Sequence, residues 1–331
     1  MKKTLILAAV MVLLAGIVCG CGKTAGSKDD ITTSSDKVRI ITTIFPEYDW
    51  VREILGDKSA EVDLTLLLDN GVDMHSYQPT SDDIVKISNC DIFIYVGGES
   101  DKWVEDVIKS AGNKDMMVIN LLDILGERLK EEELVEGMQG EEEEEEGEDE
   151  EGPEYDEHVW LSLKNAQILC EEIEKVIEKE DPENADIYKA NKDAYVAKLS
   201  ELDKEYEDVA DGASMKTLLF GDRFPFRYLT EDYGLDYYAA FIGCSAETEA
   251  SFETITFLAG KVDELNLKNV MTIENSDNKI AQSIIANTSN KDQSILALDS
   301  MQSVTSKDVE AGEKYYSIME SNLAVLKEAL K

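Results

Sequence analysis

Histidine and cysteine are scarce in this sequence. His75 and His158 are its only histidines among 331 residues. After the leading segment, Cys90, Cys170 and Cys244 remain, an odd number without a C-x-x-C pair, so no disulfide framework is indicated. Cys90 and Cys170 lie in apolar segments, where a free cysteine behaves as a small buried hydrophobe.

Positive charge is also scarce. The chain carries 32 Lys and Arg against 71 Asp and Glu, a formal net charge of -39. This balance argues against nucleic acid or an anionic lipid surface as a partner, and it suits a body that attracts cations. The H-E-x-x-H pattern of zinc proteases is absent as well.

The N-terminus predicts export and lipidation. Residues 1–20 contain two lysines, a short apolar run and small residues, the pattern of a signal peptide. Gly20 precedes Cys21 in V-C-G-C, which fits a bacterial lipobox with Cys21 as the lipidated first residue of the mature chain. A plain secretory peptide and an uncleaved anchor are the alternatives. Residues 21–37 then form a flexible tether, so the protein is expected outside the cytoplasm, anchored to the cell membrane.

The rest of the chain predicts an α/β fold with two parallel-sheet domains. Apolar strand-like runs alternate with helical segments in both halves, and the length exceeds what one hydrophobic core usually serves. We place an N-terminal domain at residues 38–180 and a C-terminal domain at residues 212–331. Between them, residues 181–211 have apolar side chains at helical spacing, with Pro182 at the first helical position. They predict one long, rigid spine helix.

An acidic insertion, residues 131–157, interrupts the N-terminal domain. It contains the run Glu141–Glu146 and few core residues, so it is expected to be disordered. It can be interpreted as an antenna that concentrates cations or as a solvated linker. It ends immediately before His158.

The two histidines have informative contexts. His75 lies in G-V-D-M-H-S-Y-Q-P-T, after a predicted strand end, and His158 lies in D-E-H-V-W-L-S-L, at the start of a helical segment. Loops at strand ends are where α/β sheets bind ligands. Two neutral imidazoles with nearby carboxylates would form a site suited to Zn²⁺ or Mn²⁺.

These motifs resemble those of a known family, the zinc- and manganese-binding lipoproteins (cluster A-I solute-binding proteins) of ATP-binding-cassette importers. The segment around His75 is similar to the family's Asp-Pro-His-x-Tyr-x-Pro-Thr motif, with Met74 in place of proline. The segment around His158 is similar to Asp-Pro-His-x-Trp-Leu-Asp-Pro, with both prolines lost. Residues 181–203 resemble the family's spine helix, and L-A-L-D-S carries Asp299 at the position of a ligand carboxylate.

The resemblance implies a metal site of His75, His158 and Asp299, with a third family ligand missing at Gly221. Asp222 is the nearest replacement, and Glu247, Cys244 or water are the other candidates. A turn or capping role beside Arg223 is the alternative for Asp222. We therefore predict His75, His158, Asp222 and Asp299 as the metal ligands.

The resemblance also implies function. The protein is expected to be a monomer that captures a divalent transition metal, most directly zinc, and delivers it to a membrane permease driven by a cytoplasmic ATPase, with no reaction of its own. Manganese specificity within the same family is one alternative. An extracytoplasmic zinc hydrolase is another, and an acid-rich calcium binder or adhesin is a third. Histidine replacement would leave cation binding unchanged only under the last of these.

Overall fold

The computed structural model describes residues 37–140, 154–245 and 249–331. The predicted signal peptide, Cys21, the run Glu141–Glu146 and Glu247 lie outside these residues. Residues 37–331 form one compact unit. In the part of the chain that is described, no helix combines the length and the apolar character needed to cross a membrane.

The first lobe is built on a four-stranded parallel sheet with strand order β2-β1-β3-β4. The strands are β1 (Arg39–Thr42), β2 (Asp63–Leu66), β3 (Ile92–Tyr95) and β4 (Met117–Asn120). The helices are α1 (Phe45–Leu55), α2 (Ser81–Asn89), α3 (Trp103–Ser110), α4 (Leu121–Leu125) and α5 (Leu163–Glu180). Strand β3 reads I-F-I-Y, a continuous apolar run typical of a strand covered on both faces.

The predicted spine is α6 (Ala185–Gly212), a helix of 28 residues. At about 1.5 Å per residue it is roughly 42 Å long. Its buried side chains recur at helical spacing and pack against α1, α5 and α11: Tyr188, Tyr195, Leu199, Leu202 and Tyr206. Pro182 instead begins a separate 3₁₀ turn, Pro182–Asn184, because the Asp181 carboxylate accepts hydrogen bonds from the Asn184 amide and the Tyr188 hydroxyl.

The second lobe contains another parallel sheet, with strand order β6-β5-β7-β8. The strands are β5 (Thr217–Phe224), β6 (Asp236–Ile242), β7 (Asn269–Ile273) and β8 (Ser294–Leu298). The helices are α7 (Arg227–Tyr233), α8 (Phe252–Leu265), α9 (Lys279–Asn287), α10 (Ser306–Glu310) and α11 (Tyr315–Ala329). The predicted fold class, two parallel-sheet α/β domains with a long helix, is confirmed.

The two lobes share buried apolar contacts. One cluster of buried side chains includes residues of both sheets. Helix α11 returns to the first lobe, where the Tyr315 N–H donates to the Asp49 carboxylate at 2.9 Å and the Tyr315 hydroxyl donates to the Trp160 carbonyl at 2.7 Å. The Trp160 indole in turn donates to the Ser300 carbonyl at 2.9 Å. These buried links fix the two lobes relative to each other beside His158.

The start and the end of the acidic insertion are ordered, contrary to the prediction of disorder from residue 131 to 157. The Glu132 N–H donates to the Glu154 carbonyl and the Asp156 N–H to the Lys130 carbonyl, each at 2.9 Å. The Gln139 N–H donates to the Ala240 carbonyl on β6 at 2.9 Å. The charge pattern missed these contacts because backbone hydrogen bonds do not depend on side-chain composition.

Candidate metal centre

The two histidines have the same local structure. Each follows an aspartate by two residues, in Asp73-Met74-His75 and Asp156-Glu157-His158. The Asp73 carboxylate accepts from the His75 N–H at 3.1 Å, and the Asp156 carboxylate accepts from the His158 N–H at 2.9 Å. Each histidine lies at a short 3₁₀ turn, Met74–Ser76 or Val159–Leu161. The Asp-x-His pattern therefore fixes the backbone at both positions, as Asx turns do.

The two imidazoles face each other between the lobes. The Nε2 atoms of His75 and His158 lie 3.1 Å apart. The His158 side chain is fully buried, and the His75 side chain is 10% exposed. On the far side of each ring, Nδ1 has an acceptor: Ser100 Oγ lies 2.7 Å from His75 Nδ1, and Asp156 Oδ1 lies 3.1 Å from His158 Nδ1.

These acceptors determine what the ring pair can do. An Nδ1 that donates its proton leaves the Nε2 of a neutral imidazole with a free lone pair. We assign the tautomers from these partners, and both lone pairs then point into the same space. Such an arrangement favours a shared cation. Zn–N bonds of about 2.05 Å at a tetrahedral angle place two nitrogens roughly 3.3 Å apart, close to the distance found here.

Cys244 joins the histidines from the second lobe. It follows β6, and its Sγ, one ring nitrogen of His75 and one of His158 all lie within 4.8 Å of one another. Among the described residues this is the one group of three or more His, Cys, Asp or Glu side chains that could hold a metal ion. Burial, together with the nearby carboxylates of Asp156 and Glu132, raises the pKa of the thiol. A bound cation would favour its deprotonation.

Asp222 is not part of this group. Its two carboxylate oxygens accept from the Ser276 hydroxyl at 2.5 Å and from the Arg223 N–H at 2.9 Å. Gly221 packs closely against α9. A β-carbon there would lie 2.6 Å from the Ala281 Cα, so this position of β5 is closed by its contact with α9. The capping alternative for Asp222 fits these contacts.

Asp299 lies in a separate polar cluster. Its N–H donates to the Asn322 amide oxygen at 2.8 Å, and its carboxylate accepts from the Met301 N–H at 2.7 Å. Burial and the nearby Glu274 carboxylate raise the pKa of Asp299 to about 7. Glu247, the other carboxylate considered from sequence, lies outside the described residues.

Ser100 and Asp156, which lie at the Nδ1 atoms of the two imidazoles, were not predicted from the sequence. A usable signal was present, because an aspartate precedes each histidine by two residues. Cys244 was one of several candidates, and only the folded chain distinguishes it, since it is distant in sequence from both histidines.

A glycine at position 243 should be required to leave room for the imidazole ring of His158. A β-carbon at 243 would lie 2.8 Å from Cε1 and 3.0 Å from Nδ1 of the His158 ring. Because this ring is fully buried and close to the added carbon, we expect Gly243→Ala to weaken zinc binding by about tenfold or more, the lower end of the loss from disturbing residues behind a ligand. Gly260→Ala is the control, since no atom of the described residues lies within 4 Å of its added carbon. Equal zinc affinity in both variants would contradict this prediction.

Zinc binding should weaken in mildly acidic solution. Burial alone would lower the pKa of His158, but the Asp156 carboxylate with its hydrogen bond, together with the carboxylates of Glu157 and Asp73, raises the pKa above the ordinary value. Zinc needs the neutral ring, so protons begin to compete as the pH falls through a value above about 6.5. Asp156→Asn should move this onset to lower pH. Zinc titrations at a series of pH values measure it, and an unchanged onset in Asp156→Asn would contradict the assignment.

Two α/β lobes with imidazole and thiol groups converging between them form the architecture of a metal-specific solute-binding protein. Comparison with known families agrees. Residues 40–329 match the family described as "Zinc-uptake complex component A periplasmic", and the chain belongs to this family.

Several relatives carry zinc in their names. The chain is 32% identical over 326 residues to the "High-affinity zinc uptake system protein ZnuA" of Bacillus subtilis (strain 168), covering 98% of this chain and 96% of that protein. It is 31% identical over 332 residues to the "Zinc-binding lipoprotein AdcA" of Streptococcus pneumoniae (strain R6), covering 99% of this chain and 61% of that protein. The match therefore leaves a large part of the longer relative uncovered.

Solved structures show the same fold. The Zn(II)-bound ZnuA-like domain of Streptococcus pneumoniae AdcA is 27% identical, with a TM-score of 0.68 over 89% of this chain and 99% of that one. The metal-dependent lipoprotein YcdH from Bacillus subtilis is 29% identical, with a TM-score of 0.71 and the same coverage.

Family membership confirms several expectations from the sequence. Members are the solute-binding components of zinc-uptake complexes and are not enzymes. They work outside the cytoplasm with an ATP-binding-cassette permease and its ATPase. Of the three alternatives, manganese specificity and zinc hydrolysis are not favoured.

Proposed function

We propose that this protein binds one zinc ion between its lobes through His75, His158 and Cys244, and that it delivers the ion as a monomer to the permease of an importer. The observation that carries this proposal is the convergence of two imidazole nitrogens at 3.1 Å, each ring with a hydrogen-bond acceptor at its opposite nitrogen. Two nitrogens and a thiolate form a ligand set that binds zinc in preference to manganese.

The site also has the features expected for reversible binding. Three protein ligands leave one tetrahedral position for water or another group, which a transfer step can use. His75 keeps some exposure at the edge of the site, whereas His158 has none. We therefore infer that zinc leaves on the His75 side. Asp222 and Asp299, the carboxylates proposed from sequence, remain candidates for that fourth position only if the loops around them move.

Metal analysis tests this function directly. Protein purified without a chelator should contain close to one zinc per chain and little manganese. After zinc is removed, titration in competition with a chromophoric chelator should show one tight zinc site and much weaker manganese binding. Equal affinities for the two metals, or tight binding of calcium alone, would contradict the proposal.

We also propose that Cys21 carries the lipid anchor. Gly20 supplies the small residue before the cysteine, and a Gly-, Ser- and Thr-containing tether follows it. Cys21→Ala should release the protein from the membrane fraction or leave it unprocessed, while Cys90→Ala, in the folded body, should remain anchored. Labelled fatty acid should enter the wild-type chain and the Cys90 variant alone. Labelling of Cys21→Ala would contradict this assignment.

A further inference from the structure

Glu157 is a buried carboxylate whose position is not explained by the fold alone. It lies directly before His158 and is 2% exposed. One oxygen, Oε1, accepts from the Ser100 N–H at 2.9 Å. The other, Oε2, lies 3.4 Å from Nδ1 of the opposite histidine, His75, and makes no hydrogen bond among the described residues. A buried carboxylate normally has a partner for each oxygen.

The neighbouring loop is shaped around this carboxylate. Gly98 has a φ of +82°, a backbone conformation that favours glycine, and a β-carbon there would lie 2.2 Å from Oε1 of Glu157. Two residues later, Ser100 donates its N–H to Glu157 and places its hydroxyl 2.7 Å from His75 Nδ1. The Ser100 hydroxyl of this loop and the Glu157 carboxylate that the loop binds therefore lie near the same ring nitrogen of His75.

We propose that Glu157 is a positioning residue for the metal ligand His75. This inference rests on the proposed zinc site. Glu157 and Ser100 keep the proton on Nδ1 of His75, so that the Nε2 lone pair points at the ion. A carboxylate behind a ligating histidine also makes the ring a stronger donor to the metal.

One short segment orients both metal ligands, His75 and His158. Asp156 holds His158 within its own loop, whereas the carboxylate beside His75 comes from the loop of His158. The three consecutive residues Asp156, Glu157 and His158 thus supply one ligand and orient both. All three residues are buried, and a shift of this segment would disturb both imidazoles together.

Glu157→Gln tests the proposal with almost no change in shape. The amide has one acceptor and one donor end. If its oxygen accepts from the Ser100 N–H, its NH₂ group faces His75 Nδ1 and opposes a proton there; the reversed amide opposes the Ser100 N–H instead. We expect zinc affinity to fall by about 10- to 100-fold, the range for partners behind a ligand. Glu154→Gln, an exposed carboxylate in the same segment, is the matched control and should bind zinc as the wild type does.

The decisive readout is the tautomer of His75. The chain has only two histidines, so ¹⁵N-histidine NMR of the zinc-free protein gives two ring systems, which His75→Ala and His158→Ala assign. At a pH where both rings are neutral, the fraction of His75 that carries its proton on Nδ1 should be larger in the wild type than in Glu157→Gln, where the proton shifts toward Nε2. The His158 tautomer should not change. A merely structural loss would not produce this selective shift.

Two outcomes overturn the proposal. Unchanged zinc affinity and an unchanged His75 tautomer in Glu157→Gln would show that the carboxylate has no such role. Ser100→Ala provides the second test if Glu157→Gln does not fold, because Glu157 should keep the proton on Nδ1 without the hydroxyl. A proton that moves to Nε2 in Ser100→Ala would assign the role to Ser100 alone. Undiminished zinc binding in His75→Ala would instead contradict the proposed function itself.

Discussion

His75→Ala and His158→Ala are each expected to weaken zinc binding by at least about a hundredfold. Losing a ligand should cost at least as much as disturbing a residue behind one, for which losses reach about 100-fold. Water replaces an imidazole nitrogen poorly, and each variant leaves only one ring in the site. Calorimetric titration, or chelator competition if binding is too tight, measures the affinity. Thermal unfolding of the zinc-free variants shows whether they remain folded.

The same titrations test the carboxylates predicted from sequence. Asp222 is hydrogen-bonded to Ser276, and Asp299 to the Met301 N–H, so alanine at either position should change zinc affinity much less than alanine at a histidine. A hundredfold loss in Asp222→Ala would instead make that carboxylate a ligand and require movement of its loop. Undiminished binding in both histidine variants would remove the entire site assignment.

Cys244→Ser is expected to produce the second large effect, a loss of zinc affinity together with a loss of preference for zinc over manganese. The thiolate is the soft ligand of the proposed set, and a hydroxyl binds zinc far less well at neutral pH. The zinc affinity should fall by more than about tenfold, and the affinity for manganese should change little. Paired zinc and manganese titrations measure the ratio.

Cys90→Ser is the control for this prediction. Cys90 is buried in the first lobe, where its thiol contacts the Met116 sulfur, and it is not part of the group around His75 and His158. Its replacement can reduce stability but should leave the ratio of zinc to manganese affinity unchanged. An unchanged ratio in Cys244→Ser would show that the thiol is not a ligand.

The fold could be predicted from local patterns. Continuous apolar runs such as I-F-I-Y predict buried parallel strands, and the structure has β3 there. Helical spacing of apolar residues predicts the spine, and α6 buries that face. The helix begins three residues later than Pro182 would suggest, because the Asp181 side chain holds a separate turn. Such a boundary depends on one side-chain hydrogen bond, which residue spacing does not reveal.

The site could be predicted only in part. Both histidines were recognisable from the rarity of histidine and from their loops, and the structure brings them together at 3.1 Å. The third group could not be identified from sequence, because Cys244 reaches the histidines only through the packing of the second lobe against the first. Gly221 suggested a lost ligand, but its close contact with Ala281 gives the glycine a packing role. Whether such a residue is a ligand or a packing residue depends on contacts between segments that are distant in sequence.

The environment of Glu157 could not be predicted from the sequence either. In the sequence, Glu157 is the last acidic residue of a strongly acidic insertion. The charge pattern alone therefore predicts that it is exposed to solvent. In the structure its carboxylate is buried between Ser100 and His75. What distinguishes it from the exposed Glu154 is the shape of the Gly98 loop, which no local pattern predicts.

The most direct test of the account is diffraction data collected at the zinc absorption edge from crystals of the protein loaded with one zinc per chain. We expect a single strong anomalous peak about 2.0–2.1 Å from Nε2 of both His75 and His158 and about 2.3 Å from Sγ of Cys244. A peak bound by Asp222 or Asp299 without the two histidines, or peaks confined to the acidic surface, would contradict it.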